Sequence, residues 1–325
     1  MVAAAGRFVP AIAGESWRDI TTRRLLAPLA MTSTDFAADA DVPFRAKPYD
    51  KGGAGDLRRI PFYDMAAIAS AGGFNSSVAH MLAYFALHMC LGRHWEARLL
   101  PESAAIAMQT PTIALGEAPD DGIFGAPSYG LGFFIATYRG HKIVWHAGGI
   151  DGFVALLAFL PEDGIGVIAL SNLDRNTAPT ILARRVFDRL LGLDPLPWNE
   201  WVASDYLEWE FEQRQKAARH ALGRDTARTP SRPLADFTGL YRNPAYGEVR
   251  IAKEKGALTL RYGQFALPLR HYRGDILEIV KIPVTSRTHL EVSFALGETG
   301  AIVGLAIPFD RDVADFVFLL ATTDR

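Results

Sequence analysis

A histidine followed by small residues, His146-Ala147-Gly148-Gly149, is the stretch of this sequence best suited to chemistry. Imidazole exchanges protons near neutral pH, so a positioned histidine can serve as a general acid or base. Neighbouring glycines let a ligand or a second backbone approach closely, and strand-end N–H groups can hold a developing negative charge. A histidine at the end of a strand is also a common structural residue, and the residues alone leave both readings open. The remaining candidates offer less. His80, His88 and His94 do not have metal-ligand spacing, and no H-E-x-x-H or paired C-x-x-C occurs, so no metal is expected. No G-x-G-x-x-G or P-loop is present, so no cofactor of the nucleotide class is expected either. Ala126-Pro127-Ser128-Tyr129-Gly130 is a degenerate nucleophile elbow, but it leads into a strand rather than a helix and reads as a turn. His271 and His289 read as half-buried sheet residues.

The elements that must position His146 follow from periodicity. A short helical stretch spans Trp17–Leu26, and the chain from there to Pro61 reads as a long irregular loop containing Gly52-Gly53-Ala54-Gly55. Such a loop is either functional or a surface excursion. Ser76 and Ser77 supply a helix cap, Gly92 a stop, and Val78, Met81, Leu82, Phe85 and Met89 one apolar face between them, with His80 opposite and His88 on the flank. A second short helix is expected over Glu102–Gln109. Strand character begins at Tyr129, with Leu131, Phe133 and Ile135 alternating. Lys142–Trp145, the wholly apolar Phe153–Leu160 and Ile165–Leu170 follow. The links are too short for parallel crossovers, so these strands form an antiparallel meander. An amphipathic helix over Asn176–Leu191, with Leu182, Ala183, Val186, Phe187 and Leu190 on one face, then packs on that sheet in an α+β arrangement.

From Trp198 to Pro233 acids precede bases in a charged helix, the order that suits its dipole, and Trp198, Trp201 and Trp209 read as its packing residues. Short strand candidates then recur over Val249–Ile251, Ala257–Tyr262, Phe265–Tyr272, Ile276–Val280, Leu290–Phe294, Ile302–Ile307 and Ala314–Leu320, enough for a small antiparallel β-barrel. The expected division is an α+β domain over 1–197, a linker over 198–232 and a β-barrel over 233–325. The chain carries 34 Lys+Arg against 36 Asp+Glu, which argues against nucleic acid as a partner. One cysteine, Cys90, excludes an intrachain disulfide. No apolar run is long enough to span a membrane. The opening residues lack a basic region ahead of an apolar one, so no signal peptide is expected and the cytoplasm is the default location, with export the alternative if a preceding segment carried a signal.

Taken in order, several segments resemble the serine β-lactamase-like hydrolases, a group that includes class C β-lactamases, related esterases, D-aminopeptidases and penicillin-binding-protein-like peptidases. Leu26-Ala-Pro-Leu-Ala-Met-Thr-Ser-Thr34 is similar to the family's "PLGM..T" segment, with Ala30 in place of the usual glycine. Ala71-Gly-Gly-Phe-Asn-Ser-Ser77 resembles its "AGGL.ST" segment, and His146-Ala147-Gly148 its third motif, K-T-G in lactamases and H-x-G in many relatives. The resemblance implies acyl transfer on an amide or ester, with a small-molecule or peptide acyl substrate. His146 would assist proton transfer or bind the substrate's carboxylate. Gly148 would let the acyl group lie along the strand, and the N–H of Gly149 would be one oxyanion donor. The family's nucleophile lies in S-x-x-K, and no serine of this chain has lysine three residues on. Tyr241-Arg242-Asn243 has the Y-x-N pattern of the second motif but stands on the wrong side of His146, so it is read as coincidence.

Both motifs precede the "PLGM" segment in the family. The chain is therefore expected to correspond to the later part of such an enzyme, to expose a sheet edge, and to pair with a second copy or a complementing N-terminal fragment. The alternative is a non-catalytic protein serving binding or assembly. The stretch Pro233–Gly247, with its "GxY.NP.YG" pattern, resembles the opening of a lipocalin-like β domain.

Overall fold

A computed structural model describes residues 2–36, 42–51, 56–119, 121–254, 256–263, 265–281, 288–310 and 313–321, so the Gly52–Gly55 run lies outside the described residues. The chain divides into two compact units, Met1–Asp205 and Tyr206–Arg325.

The first unit begins with α1 (Val2–Ala13) and α2 (Trp17–Thr21). Ser16 caps α2, its Oγ accepting from the Asp19 N–H, and the helix runs on as a wider turn over Thr22–Leu26. Instead of one long loop, the next segment contains a hairpin of β1 (Tyr49–Lys51) and β2 (Leu57–Arg59). Asp50 holds it in place by accepting from Arg58 and from Arg175, far along the chain. Helix α3 (Val78–Met89) starts at Ser77, whose Oγ accepts from the His80 N–H. Its buried side differs from the periodic reading. Val78 and Leu82 are exposed, whereas Leu87 and His88 are buried. This helix is apolar on most faces, so the surfaces packed against it decide the stripe. Leu87 joins Leu26, Leu29 and Met31, while Tyr84, Phe85 and Met89 lie on the sheet.

A two-residue ladder of β3 (Arg93–His94) and β4 (Ala97–Arg98), then α4 (Glu102–Met108), leads into the sheet. Its strands are β5 (Ile113–Ala114), β6 (Ser128–Tyr129), β7 (Phe134–Tyr138), β8 (His141–Ile150), β9 (Phe153–Leu160) and β10 (Ile165–Ser171). They lie antiparallel in the order β10-β9-β8-β7-β6-β5, the expected meander. Leu131 is exposed in the turn between β6 and β7 rather than in a strand. Phe133, Ile135, Val144, Leu157 and Phe159 pack toward α3. Ala136, Tyr138, Ile143, Leu156 and Ala158 face the other way, toward Ala183 and Phe187 of α5 (Ala178–Leu190). Leu182 and Leu190 of that helix are exposed, so its buried stripe is narrower than its apolar content.

Buried Asp188 on α5 ties three elements together. It accepts from Tyr138 Oη at 2.6 Å, from Arg139 at 2.8 Å and from Trp198 Nε1 at 2.6 Å. Trp198 opens α6 (Trp198–Leu222), of which residues up to Asp205 belong to this unit.

The second unit is a closed antiparallel barrel of eight strands in chain order: β11 (Gly239–Asn243), β12 (Gly247–Glu254), β13 (Ala257–Tyr262), β14 (Phe265–Arg273), β15 (Ile276–Lys281), β16 (Thr288–Leu296), β17 (Ile302–Ile307) and β18 (Phe316–Leu320). Closure leaves no strand edge and lets alternate residues such as Val249, Ile251, Leu258 and Leu260 fill the interior. The strand missed by periodicity, β11, contains Tyr241-Arg242-Asn243. Tyr241 is buried there and donates to the Phe237 carbonyl at 2.8 Å.

Candidate active site

Strand β8 is longer than its apolar residues suggested. It runs to Ile150, so His146 lies within a strand and not at its end. The two neighbours of β8 cover unequal lengths of it. Strand β9 pairs along the stretch from Val144 to Ile150, whereas β7 reaches no further than the Phe134–Trp145 pair. Among the described residues, 146–150 therefore have an open ladder edge on the β7 side.

Turn geometry fixes which groups face that edge. Tyr138 and His141 close a two-residue turn, with Arg139 at φ 50° and Gly140 at φ 93°, the left-handed pair of a tight hairpin. A closing pair of this kind exchanges both backbone hydrogen bonds, and the exchange repeats at every second residue. Odd-numbered residues of β8 therefore point their N–H and C=O toward β7, and even-numbered ones toward β9. The second hairpin agrees, since Ile150 and Phe153 close the two-residue turn Asp151-Gly152. The backbone groups of Ala147 and Gly149 thus fall on the open edge, while those of His146 and Gly148 are spent on β9.

His146, Ala147, Gly148 and Gly149 are all exposed. The His146 ring lies 5.6 Å from that of Phe134 and 6.3 Å from that of Tyr129, so aromatic rings flank it. A Cβ added to Gly149 would meet nothing within 4 Å, and one on Gly148 only Ala155 at 4.0 Å. The strand thus presents an unobstructed run of backbone with one imidazole beside it, which can receive an extended acyl group and hydrogen-bond its oxygen. At the far end of β8, Gly152 makes room for Pro48, whose Cβ would sit 2.2 Å from a side chain there. Tyr49 N–H donates to the Asn172 carbonyl, so the β1–β2 segment is tied beside this end of the sheet.

The other histidines lie elsewhere. His80 Nδ1 lies 3.2 Å from both Ser33 Oγ and Thr34 Oγ1, and Thr34 Oγ1 lies 2.8 Å from Ser76 Oγ, which fastens the "PLGM"-like segment to the start of α3. His88 is buried between the rings of Tyr84 and Phe133, with no partner for either ring nitrogen among the described residues. Burial pushes its pKa down to about 4, so it packs as a neutral ring.

A group that sequence spacing gave no sign of sits on the barrel. His220 Nε2, His289 Nδ1 and Glu278 Oε2 lie within 4.8 Å of one another. The other oxygen of Glu278 is held by Arg224 and Arg270, so its charge is already neutralised by guanidinium groups. A divalent cation would add charge to a cluster that is already positive, and the donor set does not fit one. The cluster is an ion network fastening the end of α6 to the barrel wall. Burial acts to raise the Glu278 carboxyl, but hydrogen bonds from His220, Arg270 and His289 outweigh it and hold it below the usual range.

The Beta-lactamase family profile matches residues 2–190, and that of a domain of unknown function, DUF3471, matches residues 223–319. The chain is 25% identical over 343 residues to an unguisins hydrolase, ungD, of Aspergillus violaceofuscus (strain CBS 115571), covering 95% of this chain and 60% of that protein. It is 26% identical over 269 residues to ungD' of Aspergillus campestris (strain IBT 28561), covering 77% of this chain and 48% of that protein. The chain thus spans about half to three-fifths of the length of these curated relatives. Among solved structures, an octameric penicillin-binding protein homologue from Pyrococcus abyssi aligns at 22% identity with a TM-score of 0.49, covering 97% of this chain and 62% of that one. A class C β-lactamase aligns at 17% identity with a TM-score of 0.44, covering 60% and 56%. With more than half of its residues matched by the family profile, this chain belongs to the Beta-lactamase family.

Proposed function

We propose that residues 1–197 provide the strand side of a β-lactamase-type acyl-transfer site acting on an amide or ester, and that the nucleophile reaches it from polypeptide outside these 325 residues. The observation that carries this reading is the open edge of β8, where His146 stands beside the backbone groups of Ala147 and Gly149, which have no strand partner among the described residues. The Gly149 N–H is one oxyanion donor. Gly148, without a side chain, leaves room for the acyl group. His146 assists proton transfer or holds a substrate carboxylate. Two curated relatives are named as hydrolases, which supports a hydrolytic outcome.

No serine here has lysine at the third position after it, and the Tyr241 motif is a buried barrel strand. The deprotonating partner that S-x-x-K supplies is therefore missing from this sequence. Strand β10 pairs only with β9 among the described strands, and a free edge of this kind can receive a further strand from a complementing segment or a second copy. The same missing motif favours a second reading, in which the sheet and the barrel of residues 233–325, joined by 198–232, serve binding or assembly without turnover.

The test uses a fluorophosphonate probe, a nitrophenyl ester and a chromogenic cephalosporin. The chain alone is expected to show neither labelling nor turnover. Mixing it with polypeptide translated in frame from the preceding coding sequence, if that carries S-x-x-K and Y-x-N, is expected to restore labelling on the added segment. Labelling of this chain by itself overturns the assignment of the nucleophile. Absence of both motifs upstream selects the binding reading.

A further inference from the structure

The sheet face turned away from α3 holds a cavity of about 310 Å³ beside α5. Ala136, Tyr138, Ile143, Trp145, Leu156 and Phe187 are among the residues that line its wall, and the Tyr138 hydroxyl is already spent on Asp188. This wall is almost wholly hydrocarbon. It stands on the odd-numbered side chains of β8, whereas strand alternation sends the His146 side chain to the other face.

The one charged residue among the described lining is Arg184 of α5, with Thr180 a turn before it. Its guanidinium stacks over the rings of Phe124 and Trp198, at 4.9 and 4.8 Å from their centroids. Among the described residues no side chain forms a hydrogen bond or ion pair with it. Asp121 and Asp205 are near enough to favour its charge, but neither is an ion-pair partner. Arg139, by contrast, is paired with Asp188 close by. An arginine cannot shed its proton, and a half-buried cation with no ion-pair partner among the described residues is an unfavourable arrangement unless a partner arrives. Stacking on two rings fixes the guanidinium plane while leaving its N–H donors available for a planar anion.

We propose that this cavity binds a small monocarboxylate with an apolar body, the hydrocarbon lying against the sheet and the carboxylate on Arg184. The volume has room for roughly ten water-sized groups and falls at the small end of ligand pockets, about 300–1,000 Å³. A single cation at the rim of an apolar groove selects for one terminal anion and against a neutral or cationic head group. The site differs from the acyl-transfer reading in needing no covalent step and in lying on the face opposite the His146 side chain; the two share Ala147, whose side chain lines the cavity while its backbone faces the open edge.

The test uses the 325-residue chain with decanoate as probe, and decanol and decylamine as comparators, read by calorimetry and by the fluorescence of Trp145 and Trp198. Decanoate is expected to bind saturably at one equivalent, and decanol at least roughly tenfold more weakly, as loss of a charged hydrogen bond dictates. Arg184→Gln should bring decanoate to the level of decanol, while Arg184→Lys retains part of the preference. Ala147→Phe, at an exposed position in the lining, should block both ligands. Decanoate that fails to saturate, that binds no better than decanol, or that is indifferent to both Arg184→Gln and Ala147→Phe overturns the site. Circular dichroism checks each variant, and if Arg184→Gln does not fold, the comparison of decanoate with decanol on the unaltered chain decides.

Discussion

Removing the carboxylate of Asp188 should loosen the first unit more than any other single polar deletion described above. Asp188 is 3% exposed, and its partners Tyr138 and Trp198 are 0% and 2% exposed, so no water replaces the lost acceptor. Asp188→Ala leaves the Trp198 indole N–H without an acceptor and reduces the Tyr138 hydroxyl to a long contact with the Arg184 carbonyl at 3.3 Å. Arg139 keeps the Asp194 carbonyl at 2.8 Å and suffers less. Two stranded buried donors cost about 1–3 kcal/mol each, and Arg139, part-exposed and still bonded to the Asp194 carbonyl, adds little to that. The expected loss is therefore about 4 kcal/mol. Asp188→Asn keeps one acceptor but turns an N–H toward a donor, so it should cost about half as much.

Urea unfolding followed by tryptophan fluorescence reports directly, since Trp198 sits in the network. With a slope of about 2 kcal/mol per M, the Ala variant should shift the midpoint of the first unit down by about 2 M. A cycle combining Asp188→Asn with Tyr138→Phe should show coupling above about 0.5 kcal/mol. A shift below about 0.5 M with the slope unchanged, together with additive behaviour in the cycle, would refute the reasoning that this carboxylate holds β7, α5 and α6 together.

Other outcomes follow from the same geometry. Gly149→Pro removes an N–H on the open edge and should leave the melting temperature nearly unchanged while abolishing turnover in a complemented enzyme, whereas Gly148→Pro breaks a β8–β9 bond and should unfold the sheet; equal melting temperatures would contradict the assigned hydrogen-bond phase. Gly166→Ala places a Cβ 2.1 Å from the Phe85 ring and should cost about 1–3 kcal/mol by overpacking, measured by urea unfolding. Asp50 and Glu278 have folded pKa values held below their ordinary ones, so their contribution is fully present above about pH 4.5 and is lost as the pH falls through the folded values. His88, whose folded pKa is pushed down to about 4, stays neutral in the fold while the unfolded chain's imidazole takes up a proton. Thermal melts should therefore begin to fall as the pH drops below about 6.5 and fall further below about 4.5, where Glu278→Gln should remove the barrel's share of the decline. A melting temperature that rises on acidification would reverse the sign.

Much of the fold was legible because it rests on short-range pattern. The meander from β7 to β10 announced itself by apolar runs joined through links too short for crossovers, and the barrel by strands at regular spacing. Helix α3 was legible as a helix through its Ser77 cap, yet not in its orientation, because an element apolar on most sides does not say which neighbour it will meet. The same ambiguity hid the exposure of Leu182 and Leu190, and the β1–β2 hairpin escaped because its stability comes from Asp50 reaching Arg175, a partner 125 residues away.

What the amino-acid order determined by itself is the chemistry on offer: a histidine next to small residues, no serine paired with lysine, and no metal-ligand spacing. Only the tertiary structure decided where that chemistry is exposed. The open edge exists because β7 stops at Phe134 while β8 continues to Ile150, and the phase of two tight turns selects Ala147 and Gly149 to face it. Hydrogen-bond phase, the burial of Asp188 and the stacking of Arg184 on Phe124 and Trp198 all depend on residues distant in the chain. Long-range packing sets them, and no local pattern encodes it.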